Sequence, residues 1–476
     1  MAAPIAIFRR FTFTKNKSNI LLLSRRLFGN SQNQFKEISP FTTNHAWTID
    51  EEIKEQIIKE EMNARRHTGS YFSQPKALPK SLRYSLETVI ESFGNADIDK
   101  LSKDMNNLIS SRKVPLEKDE ILEILQEIEN EVMEQEKMSP EHLQSLDDRK
   151  REKHLHYMRN KIMNIARKRS YRWKEIEYTL AKALAYAKSR LHFEYSCLSR
   201  IFFEMKKRDE NFRPQTLFDF GSGVGSVMWA CNDMWPKSIF EHFCVEKSSS
   251  MIELADLLLR DGNEAKERCF KNVNFKSYMP KDVKGGFDIC VSSFSLLHLT
   301  SREERLSTLN QLWKLTDEYL VLVENGNLNG FKVINEARDF ILNMSKIDQD
   351  QGGYVYSPCP HDLGCPRMKH YAKPLCPFSI SYRKQLETPV ENKKFCYLIM
   401  KKGKRRPEDV EWPRLMDSVK NPPRQAVCHM CTASGELQTA VITKAKHGKT
   451  LYHCVRNGRS GDLLPMVPAE NTKKEP

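Results

Sequence analysis

Between residues 211 and 345, short apolar runs alternate with amphipathic ones, and that alternation limits the fold more than any other feature. "TLFDFGSGVGSVMWA" (216–230) reads as strand, glycine loop and helix. "FEHFCVEKS" (240–248) reads as a second strand, with "SMIELADLLLR" (250–260) as its helix. "VNFKSY", "FDICVSSFSLLHL" and "EYLVLVEN" supply a third, fourth and fifth strand. Successive parallel strands need crossover connections, usually helices, so the pattern predicts an α/β domain with a doubly wound parallel sheet.

The first strand carries Asp219, and Gly221, Ser222, Gly223 and Gly225 follow it as the next helix begins. Glycines there let the backbone approach a ligand, although a bare G-x-G-x-G also suits dinucleotide folds or a simple tight turn. The glycines lie two apart without a later third one. An acid precedes them in the strand, and the second strand ends in Glu246, placed to accept from ribose hydroxyls. These points favour S-adenosylmethionine, and the stretch resembles motif I of class I (Rossmann-like) methyltransferases. That resemblance implies Gly221, Ser222, Gly223 and Gly225 around the methionine part, Asp219 near its amino group, and Glu246 on the ribose. No Asn/Asp-Pro-Pro-aromatic box follows the fourth strand, where the sequence reads "VSSFSLLHL". Cys290 lies inside an apolar strand, and His298 stands alone beside leucines. The catalytic residues are therefore unknown.

From about 50 to 210 the pattern is helical. "KDEILEILQEIENEVMEQEK" (118–137) sets Ile121, Ile124, Leu125, Ile128 and Val132 at helical spacing. "SPEH" (139–142) predicts an N-cap serine and an N1 proline opening the next helix. Residues 149–174 hold eleven Lys/Arg against one acid, with Tyr157, Tyr171 and Trp173 between them. That run is either a solvated helix face or a surface for RNA phosphates. Past residue 352, "KFCYLIMKK" (394–402) reads as a strand, and "AVITKAKHGKTLYHCVR" (440–456) as a hairpin turning at His447-Gly448.

The formal charge is +14, and it is concentrated at the ends of the chain. Residues 1–36 hold seven Lys/Arg and no acid; residues 401–476 hold fifteen Lys/Arg against eight Asp/Glu, so each contributes +7 and the rest sums to zero. An acid-free, Arg-rich, Ser-containing amphipathic N-terminus is the pattern of a mitochondrial transit peptide, which predicts the mitochondrial matrix as the destination. A mean hydropathy of −0.60 and the lack of a ~20-residue apolar run argue against a membrane span. In a reducing compartment the twelve cysteines are more readily free or metal-bound than paired.

Seven of the twelve fall between 359 and 454. Cys359, Cys365 and Cys376 are each followed by proline, and "VCHMC" adds Cys428 and Cys431. Structural zinc favours two tight Cys-x2-Cys pairs, and only one is present. Cys-Pro dipeptides recur in iron–sulfur sequences, so a [4Fe-4S] cluster, zinc and unliganded thiols all stay open, with the cluster favoured.

Taken together, "LPKSLRYSLETVI", "FDFGSGVGS", "CPHDLGCP", "WPRL", "CHMC" and "HGKTLYHCVRNGRSGDLLP" resemble the methyltransferase-like protein 17 family of mitochondrial small-ribosomal-subunit assembly factors. The resemblance covers most of the mature chain. It implies a methyltransferase-like fold, a four-cysteine iron–sulfur site, and binding to the immature small ribosomal subunit and its rRNA. By motif, Cys359, Cys365 and Cys376 match the first three ligands and Cys431 the fourth. The gap to Cys376 is longer than the family pattern. The expected organisation is a transit peptide (1–36), an N-terminal helical region (37–210), the S-adenosylmethionine-binding domain (211–345), and a cysteine-rich, basic α+β extension (346–476). The expected function is a monomeric RNA-binding assembly factor whose methyl transfer has lapsed. The alternative is an active rRNA methyltransferase.

Overall fold

The computed structural model describes residues 41–42 and 46–469, apart from 72–73, 137–146, 170, 172, 281–284, 348–351, 371–374, 386, 407–408 and 410. The expected targeting segment (1–36) and the expected cap at Ser139 lie outside the described residues. The chain forms two compact units, one containing residues 115–173 and the other residues 39–114 with 174–476. The region expected as one helical block thus contributes to both.

In the first unit, helices α1 (Lys118–Gln135) and α2 (Asp148–Arg169) pack as a pair. Ile128 and Val132 bury against Met158, Ile162 and Ala166, the 3.6-residue stripe expected of α1. Ile121 was expected on that stripe but is exposed near the helix start. The basic run on α2 is partly neutralised by its partner: Lys161 pairs with Glu136 at 2.5 Å and Arg169 with Glu131 at 2.8 Å. Lys153, Arg167 and Lys168 stay exposed.

The second unit is built on helix α3 (Leu180–Arg208) and one eight-stranded sheet. The strands are β1 (Thr216–Phe220), β2 (Glu241–Val245), β3 (Val273–Lys276), β4 (Phe287–Ser293), β5 (Thr316–Asn325), β6 (Gly353–Ser357), β7 (Phe378–Tyr382) and β8 (Glu391–Lys402). Their order is β3-β2-β1-β4-β5-β8-β6, with β7 also paired to β8. Strands β1 to β5 are parallel, and β8 runs antiparallel to β5. All five strands expected from the alternation are present, as is the one at 394–402. Along β8, Phe395, Tyr397 and Ile399 enter one core while Cys396, Leu398 and Met400 enter the other, so the sheet is covered on both faces. The order reverses between β1 and β4. In open α/β sheets that switch point, outside the carboxyl ends of the strands, is where ligands bind.

A second sheet pairs β9 (Gln425–Cys431) with β10 (Leu437–Thr443). The hairpin expected over 440–456 is corrected. After β10 the chain becomes helix α4 (Lys444–Arg456), capped by the Thr443 hydroxyl, which accepts from the Lys446 N–H at 3.2 Å. Leu451 and Val455, four apart, bury against the sheet, a helical spacing that overrides local strand propensity. Gly448, at φ 82°, supplies a kink within the helix and not a turn between strands.

Candidate cofactor cleft and cysteine centre

The glycine loop leaves β1 at the switch point. Gly221, Gly223 and Gly225 adopt φ of 69°, 51° and 85°, the left-handed region that glycine enters without strain. The Gly221 and Ser222 N–H groups donate to the Val245 carbonyl at 2.8 and 3.1 Å. A Cβ on Gly221 would stand 2.4 Å from that of Ser295, whereas one on Gly223 would meet nothing within 4 Å. Gly221 is thus required by packing, and Gly223 faces open space.

Asp219 is fully buried, and neither carboxylate oxygen has a hydrogen-bond partner among the described residues. Burial, then the neighbouring Glu246 and Glu194, push its carboxyl well above the usual range. Glu246 accepts from the Gly223 N–H at 2.9 Å and from the Ser248 N–H at 2.9 Å. These two backbone donors tie the loop to β2 and leave the Glu246 carboxylate further acceptor capacity.

Helix α3 contributes residues that motif reading missed. Arg190 donates to Glu194 at 3.2 Å and to the Asn325 side chain at 3.0 Å, and Tyr186 donates to Glu194 at 2.6 Å. The Arg190 guanidinium lies 4.9 Å from the ring centroids of both Phe193 and Phe294. Phe294 holds a positive φ of 56° just beyond β4, where a bulky residue is disfavoured. Beside it, the Ser292 and Ser295 hydroxyls bond each other at 2.7 Å, and Ser295 donates to the Phe220 carbonyl at 3.0 Å. The signal was present in the sequence: Arg190 and Glu194 are charges four apart on an otherwise apolar helix face. Cys290 is buried in β4, and burial pushes its thiol up to about 12. For His298, burial, then Arg112 and Arg190, push the imidazole down to about 3.

Just beyond the carboxyl end of β6, Cys359, Cys365, Cys376 and Cys431 line one small apolar cavity, together with Phe378, Met416 and Leu437. All four are free thiols. Cys428 is three positions from Cys431 on β9, so it faces the opposite side and packs in the core of the second sheet. Burial first, then Cys359, push Cys365 up to about 11. Cys376 lies well above the usual thiol range through burial and then its three cavity neighbours with Cys396. His361 approaches the Cys431 sulfur at 3.4 Å, and its carbonyl accepts from Arg338 at 3.0 Å. Among the described residues, no three Cys, His, Asp or Glu side chains stand close enough to hold a single metal ion.

A buried charge cluster anchors this loop to α3. Glu204 accepts from Arg414 at 2.8 Å, Arg200 at 3.0 Å and Arg208 at 3.4 Å. Arg414 in turn donates to the Pro358 carbonyl at 2.8 Å, and Arg208 to the Tyr356 carbonyl at 2.6 Å. Within the net-positive 401–476 stretch, the basic run at 404–406 is largely engaged internally: Arg405 holds the Val355 carbonyl and Asp362 at 3.1 Å each, and Arg406 pairs with Asp409 at 3.4 Å.

The strand order, the switch-point loop and the appended sheet define a class I methyltransferase-like domain with a cysteine-bearing extension. The chain belongs to the Rsm22 family, whose model, "Mitochondrial small ribosomal subunit Rsm22", matches residues 180–465. It is 34% identical over 410 residues to the human mitochondrial ribosome assembly protein METTL17, spanning 85% of this chain and 86% of the human one. It is 23% identical to Rsm22-cox11 tandem protein 2, mitochondrial, of Schizosaccharomyces pombe, over 60% of this chain and 43% of that protein. Among solved structures, magnesium protoporphyrin IX methyltransferase from Synechocystis with bound SAM aligns over 50% of this chain and 89% of its own, at 14% identity and a TM-score of 0.28.

Proposed function

We propose that this protein is a mitochondrial-matrix assembly factor of the small ribosomal subunit that contacts rRNA, binds S-adenosylmethionine without transferring its methyl group, and carries a [4Fe-4S] cluster. The observation that carries the reading is the segment beyond β4. A methyl transfer that depends on deprotonating its acceptor needs a base within hydrogen-bond reach of it. Here Phe294 fills the place beneath the Arg190 guanidinium, and Ser292 and Ser295 satisfy each other.

The cofactor half of the cleft has a chemistry of its own. Asp219, Glu194 and Glu246 repel one another in a buried setting, and Asp219 has unpartnered oxygens. A buried charge of this kind is stabilised by a cationic ligand, and S-adenosylmethionine carries both an ammonium and a sulfonium. When bound, it would supply an electrophilic methyl group. The chain's own residues bind and enclose it, with Gly223 leaving room and Tyr186 and Arg190 fixing Glu194.

Four cysteines around one apolar cavity suit a polynuclear cluster. A tetrahedral zinc holds its sulfurs at about 2.3 Å from one ion, which requires a tighter gathering of thiols. Arg338, Arg367 and Arg414 stand beside the cysteines and offset thiolate charge.

The test has two arms. Anaerobically purified protein is expected to be brown, with about four irons per chain, and Cys359→Ser to abolish the colour; colourless protein with one zinc contradicts the cluster. Mass spectrometry of small-subunit rRNA modifications in cells carrying Gly223→Leu is expected to match wild type. Loss of one mark with assembly intact would establish the active rRNA methyltransferase instead.

A further inference from the structure

A cleft of about 870 Å³ lies apart from both the glycine loop and the cysteine cavity. Arg65 and Arg66 enter it from the short 3-10 turn Ala64–Arg66, Lys207 from the last turn of α3, and Arg456 and Arg459 from the end of α4 and just beyond. Its remaining lining is mostly Ser, Asn and Gln with one aromatic, Phe203, and no Asp or Glu belongs to it. Arg65, Arg66 and Arg456 are exposed, and no ion pair involves them among the described residues. Lys207 donates to the His67 and Ser70 carbonyls at 3.0 and 2.8 Å, which fixes one wall, and Asp462, outside the lining, is the acid that acts on its charge.

Three segments far apart in sequence thus bring five cations into one concavity. Like charges in a concave, low-dielectric wall focus their field. Arg65 and Arg456 also reach His453 on α4, whose imidazole is lowered first by burial and then by Lys444, Arg65, Lys449 and Arg456. Protein-binding surfaces centre on aromatic and apolar anchors, and this lining offers one aromatic, Phe203, among polar side chains. Arg and Lys interspersed with Ser, Asn and Gln is the set of donors that contacts nucleic-acid phosphates and sugars.

We propose that this cleft is the seat for an RNA phosphate backbone. The inference rests on the assembly-factor reading and assigns the RNA contact to Arg65, Arg66, Lys207, Arg456 and Arg459, away from the 149–174 and 404–406 runs. Such a seat recognises the polyanion and its path, not base sequence.

The experiment compares the full chain with R65Q/R66Q/R456Q, measuring binding to small-subunit rRNA fragments and to purified small subunits across a salt series. The three side chains are exposed, so the far-UV circular dichroism and melting temperature should be unchanged. Losing three phosphate contacts should make the log–log salt slope shallower by about 2 for single-stranded RNA. From about 50 to 200 mM salt, the wild type should then weaken roughly 20-fold more than the variant. If the wild type binds RNA and subunits and the variant does so with the same slope, the cleft assignment is overturned while the assembly reading stands. A wild type that binds neither overturns the assembly reading itself. Loss of subunit binding by the variant, where the wild type ignores free RNA, assigns the cleft to an acidic protein and overturns the RNA proposal.

Discussion

Glu204→Gln is the most informative single change in the core. The carboxylate is fully buried and receives Arg414, Arg200 and Arg208, together with the Ser357 and Tyr397 hydroxyls at 2.8 and 3.0 Å. Burial alone would raise its carboxyl, but the three guanidiniums outweigh that and hold it well below the usual carboxylate range. Removing the negative charge leaves the buried Arg414 and the partly buried Arg200 and Arg208 without a carboxylate, a change that costs about 3–5 kcal/mol. The loss should concentrate where those arginines grip the chain, at Tyr356 and Pro358, immediately before Cys359. Hydrogen exchange over 354–366 is the assay, because a two-unit chain need not melt in one step. A depressed acid contributes stability above its unfolded value near 4.5, and that stability is lost only as pH falls through the folded value. The variant's penalty should therefore be flat from pH 6 to 9 and shrink only in acid. Adding Arg414→Met should recover part of it, with a coupling of about 1–3 kcal/mol. An exchange penalty below about 1 kcal/mol at these amides refutes the anchoring argument.

Gly223→Leu should abolish S-adenosylmethionine binding by calorimetry at a stability cost of only about 1 kcal/mol from its left-handed backbone, while Gly221→Ala should destabilise the domain by clashing with Ser295; wild-type affinity in the Leu variant would reduce the loop to a turn. Glu324 is buried at the end of β5, and its carboxyl is pushed up to about 7, chiefly by burial. A raised acid costs stability as pH climbs from about 4.5 through 7, so Glu324→Gln should leave the melting temperature unchanged at pH 4.5 and raise stability by up to about 3 kcal/mol at pH 8. Neutralising Lys404, Arg405 and Arg406 together should lower the melting temperature without altering the salt slope of RNA binding, because Arg405 and Arg406 serve internal pairs.

The parallel sheet was legible because its strands and helices announce themselves locally: β1 to β5 follow apolar runs that no neighbour had to specify. The glycine loop was legible for the same reason, since a left-handed backbone restricts which residues can stand there. What local pattern could not give was the destination of charges. The arginines at 405 and 406 read as a free basic run, yet their partners are Asp362, 43 positions away, and Asp409. The converse holds for Arg65 and Arg456, unremarkable in isolation and brought to one cleft only by the tertiary fold. The stretch 440–456 failed for a third reason. Alternating small and polar residues mimic a strand there, and burial of Leu451 and Val455 against the second sheet decided for helix.

Helix α3 connects these observations physically. Its 29 residues span about 43 Å at 1.5 Å per residue. Arg190 and Glu194 stand at the glycine-loop end, and Glu204 lies about 15 Å beyond Glu194, under the cysteine loop. Phe203, next to Glu204, and Lys207, about a turn beyond it, line the basic cleft. A single rigid element therefore carries buried charges toward the cofactor cleft and the cysteine centre, and the half-buried Lys207 toward the cleft assigned to RNA. On the proposed reading, that arrangement gives a physical reason to keep a methyltransferase-like core without methyl transfer. The sheet and the glycine loop hold α3 in register, and α3 in turn fixes surfaces that never touch the methyl group. Substitutions that disturb the α3–sheet packing should then impair cluster retention and RNA binding together, whereas exposed substitutions in the basic cleft should impair RNA binding alone.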